Sequence, residues 1–197
     1  MKQVLITTGA TVTFIKLIRY TLSPRFVNEL YKLEFTDLVV QYGKSPDAET
    51  LVRSLLDKLS KVFTSKEGIQ SDTNGGLKLC IEYKDAVLTI KCIKFDRDLV
   101  QKYTSKSDLI ISHAGTGSIL DSLRLKKKLI ILVNDKLQDN HQLQIAKAFE
   151  EKKVLRVAST DFDEFIRLVA NSEHEEFSRL SEPNGSMVED ILLAESM

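Results

Sequence analysis

Short apolar runs alternate along this chain with stretches in which apolar residues recur every three or four positions. Val4, Leu5 and Ile6 mark a buried-type strand over residues 4–8, and a helical pattern over 13–22 follows it. A strand over 38–42 precedes an amphipathic helix over 48–63, with Leu51, Leu55, Leu56 and Leu59 at helical spacing. Residues 64–76 carry Ser, Gly, Asn and charged side chains without period, which predicts a surface loop and the most flexible segment of the chain. A hairpin comes next, 77–83 and 87–95 about a turn at Lys84 and Asp85. Helix 98–104, strand 109–112, helix 118–125, strand 129–133, helix 141–151 and a weak strand 154–157 complete the series. Strands alternating with helices imply an α/β fold, a parallel sheet with right-handed crossovers.

The pattern supports one domain over 1–172 and a tail over 173–197. The tail holds seven acidic residues against Arg179 alone, and reads as a solvated helical end or as an interaction tail. Within it, Met187, Val188, Ile191 and Leu192 recur at helical spacing after Pro183, Asn184 and Gly185. A short amphipathic helix there needs an apolar surface, on its own domain or on a partner chain.

Composition narrows the class. With 197 residues, 43% hydrophobic and 28% charged, the chain is an ordinary globular one, and its formal net charge of zero argues against a nucleic-acid-binding face. It runs from Met1 directly into an apolar strand without the pattern of a secretory signal, so a cytosolic location is expected. The longest apolar run, 129–133, is far short of the roughly 20 residues a membrane-spanning helix needs. Any membrane attachment is then borrowed from a partner. Cys80 and Cys92 fall on the two arms of the hairpin and can face each other there, but cytosolic thiols normally stay reduced, so both are expected to be strand or core residues.

Candidate chemistry concentrates between Asp108 and Gln144. Ser112, His113, Ala114, Gly115, Thr116, Gly117 and Ser118 follow a strand and open a helix, a turn whose glycines allow close backbone approach to a diphosphate. The bland reading is a tight connection capped by Thr116 or Ser118. Asp121 lies one helical turn after Gly117, where a carboxylate can accept both ribose hydroxyls of a nucleotide sugar; its alternative is an ion pair with Arg124. The next strand ends at Asn134 and Asp135, and Asp139, Asn140, His141 and Gln142 open a further helix. Capping by Asp139 or Asn140 explains one of them, while His141 and Gln142 offer donors and acceptors suited to sugar hydroxyls. Two of the three histidines, His113 and His141, therefore border the two proposed ligand loops.

Other features carry less. The turn Thr7, Thr8, Gly9, Ala10, Thr11 has one glycine, far below a dinucleotide fingerprint. Asp96 and Asp98, and Asp161 and Asp163, precede helical patterns, where capping and the macrodipole favour acids over a bound metal. No zinc spacing exists, and no metal or cofactor is expected. Arg124, Lys126, Lys127 and Lys128 end a helix, where cations suit the dipole better than they argue for acidic lipid. A hydrolase using Ser112 or Ser118 with His113 lacks a nucleophile set between glycines.

The segment from Ser112 to Asp121, with Asn134, Asp135 and Asp139 to Gln142, resembles the small catalytic subunit family of the two-subunit UDP-N-acetylglucosamine transferase of eukaryotic N-glycosylation. More distantly it is similar to the C-terminal half of the bacterial glycosyltransferase that makes lipid II. The resemblance implies a Rossmann-like parallel sheet with helices on both faces, equivalent to the C-terminal half of a GT-B enzyme and carrying an inserted hairpin. It implies that Gly115, Thr116, Gly117 and Ser118 face the diphosphate, Asp121 the ribose, and Asn140, His141 and Gln142 the N-acetylglucosamine. Gly9, Ala10 and Thr11 would border the cleft near the acceptor, Phe95 would flank the uracil, and His113 or the companion subunit would supply the general base. The implied partners are a membrane-anchored acceptor-binding subunit and a lipid-linked sugar, at the cytosolic face of the endoplasmic reticulum. The alternative is a non-catalytic nucleotide-sugar-binding regulatory subunit.

Overall fold

A computed structural model describes residues 1–9, 13–72, 75–133 and 140–178, with the backbone alone for 140–145. The chain divides into two compact units, Met1–Asp108 and Leu109–Met197.

The first unit holds β1 (Gln3–Thr7), α1 (Ile15–Thr21), α2 (Pro24–Lys32), β2 (Asp37–Gln41), α3 (Pro46–Val62), β3 (Ile69–Ser71), β4 (Leu77–Tyr83), β5 (Ala86–Ile93) and α4 (Leu99–Lys102), then a 3-10 turn, Thr104–Lys106. Its strands stand in the order β3-β4-β5-β2-β1. β1 and β2 run parallel, Gln3 beside Asp37 and Thr7 beside Gln41, and β2 is parallel to β5. The hairpin β4-β5 is antiparallel and carries β3 on its far edge. Val4, Leu5, Ile6, Leu38, Val39 and Val40 are buried almost completely, as continuous apolar runs require when both sheet faces are covered.

Helix α2 is an addition to the elements the periodicity picked out. Ser23 caps it, accepting from Phe26 N at 3.3 Å, Pro24 occupies its first turn, and Phe26, Val27 and Leu30 form its buried face. Tyr31 then bridges to the hairpin. Its hydroxyl donates to Ile81 O at 2.9 Å, and its ring lies 5.9 Å from Phe63 and 5.6 Å from Tyr83. β3 is a second addition, inside the expected loop. Three residues show no period of their own, and pairing with Leu77, Lys78 and Leu79 of β4 is what makes them a strand.

The hairpin register separates the cysteines. Cys80 opposes Thr89 and Cys92 opposes Leu77, so they do not face each other, and both are free thiols. Full burial pushes the Cys92 thiol well above its ordinary value.

The second unit holds β6 (Leu109–Ser112), α5 (Thr116–Arg124), β7 (Lys128–Leu132), α6 (Asn140–Glu151), β8 (Arg156–Ala158) and α7 (Phe162–Asn171). Its strands lie in chain order and are all parallel. β8 begins two residues later than the weak strand over 154–157, because Val154 and Leu155 pack as buried residues of the preceding turn. Asp161 caps α7, accepting from Glu164 N at 2.9 Å, which is the capping role expected for that acidic pair. Asp96 instead binds Lys102 at 3.0 Å. The stripe at Met187, Val188, Ile191 and Leu192 lies outside the described residues. No described helix is long and apolar enough to cross a membrane.

Candidate functional site

β6 delivers the chain to the site. Its last residue, Ser112, is fully buried, which removes it as a hydrolytic nucleophile. His113 follows, half-buried, and then Ala114 takes φ of 72°, a left-handed backbone that a residue with a β-carbon rarely adopts. Such strain persists only where the surrounding fold holds it, and costs on the order of 1 kcal/mol. Its effect here is to turn the strand sharply into α5.

Gly115 stands at the N-cap of α5, and no side chain caps the helix. The expected cap by Thr116 or Ser118 is absent, since both lie inside the helix rather than ahead of it. The first helical bond runs from Ile119 N to Gly115 O at 3.1 Å. The amides of Thr116, Gly117 and Ser118 therefore precede it and have no intrahelical acceptor. Together with a macrodipole end equivalent to roughly half a positive charge, they are arranged so that an anion would be favoured there.

The two glycines serve different ends. A β-carbon on Gly115 would come within 2.7 Å of His113 Nε2, so the imidazole is seated against the bare Cα. A β-carbon on Gly117 would meet nothing within 4 Å among the described residues. Gly117 therefore answers no internal crowding, and glycine in a helix costs about 1 kcal/mol against alanine. The open position at an exposed first turn suits close approach by a ligand.

Asp121, half-buried, lies one turn further along the same helix. The ion pair with Arg124 weighed as its alternative does not form among the described residues, and its carboxylate is left available. His113, Gly115, Thr116, Gly117, Ser118 and Asp121 are thus brought together on one turn and one helix.

Helix α6 begins at Asn140, which puts the backbone of Asn140, His141 and Gln142 in its first turn. Their side chains, with Asn134, Asp135 and Asp139, lie outside the described residues, as do Ala10 and Thr11. In the first unit, Gly9 is buried at φ of 94°. Thr8 holds that turn, its N–H and hydroxyl both donating to Gln41 O at 3.2 and 2.9 Å. Phe95 follows β5, 42% exposed, with the Lys44 ammonium 4.9 Å above its ring. Lys44 escaped the sequence reading; the signal was a Gly-Lys step just past a strand. Among the described residues no three His, Cys, Asp or Glu side chains are grouped to hold a metal.

The architecture is that of one Rossmann-like half of a GT-B glycosyltransferase. MurG of Acinetobacter baumannii superposes with a TM-score of 0.54 at 15% identity, over 99% of this chain and 50% of that one. Residues 3–192 match the glycosyltransferase family 28 C-terminal domain. The UDP-N-acetylglucosamine transferase subunit ALG13 of Kluyveromyces lactis is 38% identical over 170 residues, 83% of this chain and 82% of its own length. The Candida albicans protein of the same name is 41% identical over 160 residues, and the match spans 76% of this chain but only 53% of that protein. An NMR solution structure of ALG13 superposes with a TM-score of 0.72 at 31% identity, covering 99% of this chain and 96% of that one. The chain belongs to the glycosyltransferase family 28 C-terminal domain family and, within it, to the ALG13 subunits of UDP-N-acetylglucosamine transferase.

Proposed function

We propose that this chain is the donor-binding catalytic subunit of an inverting glycosyltransferase. It carries N-acetylglucosamine from UDP-N-acetylglucosamine to N-acetylglucosaminyl-diphosphodolichol, the second step of lipid-linked oligosaccharide synthesis for N-glycosylation. The acceptor is held by a membrane-anchored partner subunit, which keeps this chain peripheral at the cytosolic face of the endoplasmic reticulum. Relatives named as UDP-N-acetylglucosamine transferase subunits support the donor and the need for a partner. The observation that carries the reading is the uncapped start of α5, with three amides free of intrahelical bonds and an open position at Gly117.

The reaction is a direct displacement. The 4-hydroxyl oxygen of the lipid-linked sugar attacks the anomeric carbon of the donor, the bond from that carbon to the phosphate oxygen breaks, and UDP leaves with the electron pair. The attacking hydroxyl gives its proton to a base, either His113 or a group of the partner. Charge grows on the departing diphosphate, and the amides of Thr116, Gly117 and Ser118 stabilise it without reorganising, the largest contribution in many such reactions. Asp121 accepts the ribose hydroxyls and fixes the nucleotide. Asn140, His141 and Gln142 read the sugar, Phe95 flanks the base, and Gly9, Ala10 and Thr11 border the acceptor.

The test is reconstitution: this chain, with and without its membrane partner, receives labelled UDP-N-acetylglucosamine and a phytanyl- or dolichyl-linked acceptor. Labelled product only with both chains is expected. Unchanged turnover by the partner alone would make this chain regulatory and overturn the catalytic reading.

A further inference from the structure

The second unit has another concave feature, at the opposite ends of its strands from the turn after β6. Helices α5 and α6 close alike there. Lys126 N bonds Leu123 O and Lys127 N bonds Ser122 O, while Lys153 N bonds Glu150 O and Val154 N bonds Phe149 O. Lys126 at φ of 54° and Lys153 at 59° thereby occupy the left-handed position that ends a helix. β7 and β8 are parallel neighbours, so these two lysine-bearing turns lie side by side where the strands begin.

A cavity of about 160 Å³ is lined there by Leu123, Lys126, Lys127, Lys128, Val154 and Phe177. Its walls are held in place. Lys128 donates to Ser172 O at 2.9 Å and Glu173 O at 3.3 Å. Arg156 stands 5.2 Å over the Phe177 ring, pairs with Glu175 and donates to Glu176 O at 3.0 Å. Ser178 N bonds Lys153 O at 2.9 Å.

Charge distinguishes the cavity from an ordinary helix end. Arg124, Lys126, Lys127, Lys152 and Lys153 have no acidic partner among the described residues. The macrodipole end that one such cation would balance is only about half a charge, and Arg124 alone supplies that. Lys126 and Lys127, which add two further ammonium groups without an acidic partner among the described residues, favour an anion in this walled cavity.

We propose that this cavity binds a phosphate ester. A tetrahedral phosphate offers acceptor oxygens to Lys126, Lys127 and the remaining N–H of Lys128. Leu123, Val154 and Phe177 give the carbon part of the ester an apolar wall. The site stands apart from the start of α5 and does not depend on the function proposed above. Its ligand is either a soluble phosphate ester or the headgroup of an acidic lipid.

The test follows backbone amides of the full chain by NMR as glycerol phosphate is added, for the natural chain and for a Lys126→Ser, Lys127→Ser double variant. Saturable shifts at 123–128, 154 and 177 are expected, with affinity lowered roughly tenfold or more in the double variant. Amide positions away from 123–128, 154 and 177 should coincide in the two chains before any addition, which shows that the variant is folded. Flotation with phosphatidylcholine vesicles, with and without phosphatidic acid, separates the sources. Flotation with acidic vesicles only, lost in the variant, assigns a lipid headgroup; glycerol phosphate shifts without flotation assign a soluble ester. The proposal is overturned if neither probe acts at these residues, or if the double variant responds equally.

Discussion

The imidazole of His113 occupies the space a side chain on Gly115 would need, with Nε2 2.7 Å and Cε1 2.8 Å from the position of a β-carbon there. The glycine thus fixes where the ring rests, and the ring in turn borders the amides that open α5. Gly115→Ala should swing His113 away while leaving the helix intact. Turnover in the reconstituted complex should fall by about 10- to 100-fold, the usual cost of misplacing a group by about an ångström, with an unchanged circular dichroism spectrum. Wild-type turnover would mean that the seat of the ring is immaterial.

Gly117→Ala separates ligand approach from folding. Among the described residues nothing crowds that position, so alanine should stabilise the helix by up to about 1 kcal/mol. Donor affinity should nevertheless fall, because the methyl group stands where the ligand approaches. Thermal melting and a UDP titration on the same sample check the pair of effects; unchanged affinity would leave Gly117 without a functional reason.

Asp121→Ala should abolish transfer and leave association with the partner subunit intact. The side chain has no ion pair with Arg124 among the described residues, so little stability should be lost with it. Pull-down and a turnover assay read the two properties separately, and near-normal turnover would refute the ribose role.

Tyr42 makes a prediction about stability alone. Its ring is fully buried and its hydroxyl has no partner among the described residues. An unsatisfied buried polar group costs about 1 to 3 kcal/mol, so Tyr42→Phe should raise the melting temperature. A lowered one would mean that the hydroxyl is satisfied in solution.

Alkaline pH should act through the same residue and through Tyr31. Burial pushes both phenols from 10.0 up to about 12. The folded state therefore favours the neutral ring, and this contribution is fully present below pH 10 and lost as pH climbs through about 12. Circular dichroism across that window should show the loss, and Tyr42→Phe should make it shallower.

Much of the fold was legible because its central strands are uninterrupted apolar runs: Val4 to Ile6, Leu38 to Val40, Leu109 to Ile111 and Leu129 to Leu132 admit few other readings. Helix α2 was missed although Ser23 and Pro24 are an ordinary start signal, because only three residues, Phe26, Val27 and Leu30, carry its buried face. β3 was illegible in principle, since its strand character comes from β4 and not from its own residues. At the site, the glycine turn and Asp121 could be read directly. The left-handed Ala114, the missing cap and the seating of His113 could not, for they depend on backbone torsion and packing rather than on residue type.

Strand order also bears on assembly during synthesis. In the second unit each strand joins the next one made, Ile110 with Leu129 and Ile130 with Arg156. In the first, Val40 pairs with Cys92 across two intervening strands and a long helix. Loops that close late slow folding, so β2 must wait for its partner β5. The nascent chain exposes the flank of β2 until residue 93 has emerged, an interval in which a chaperone would have an open strand edge to shield.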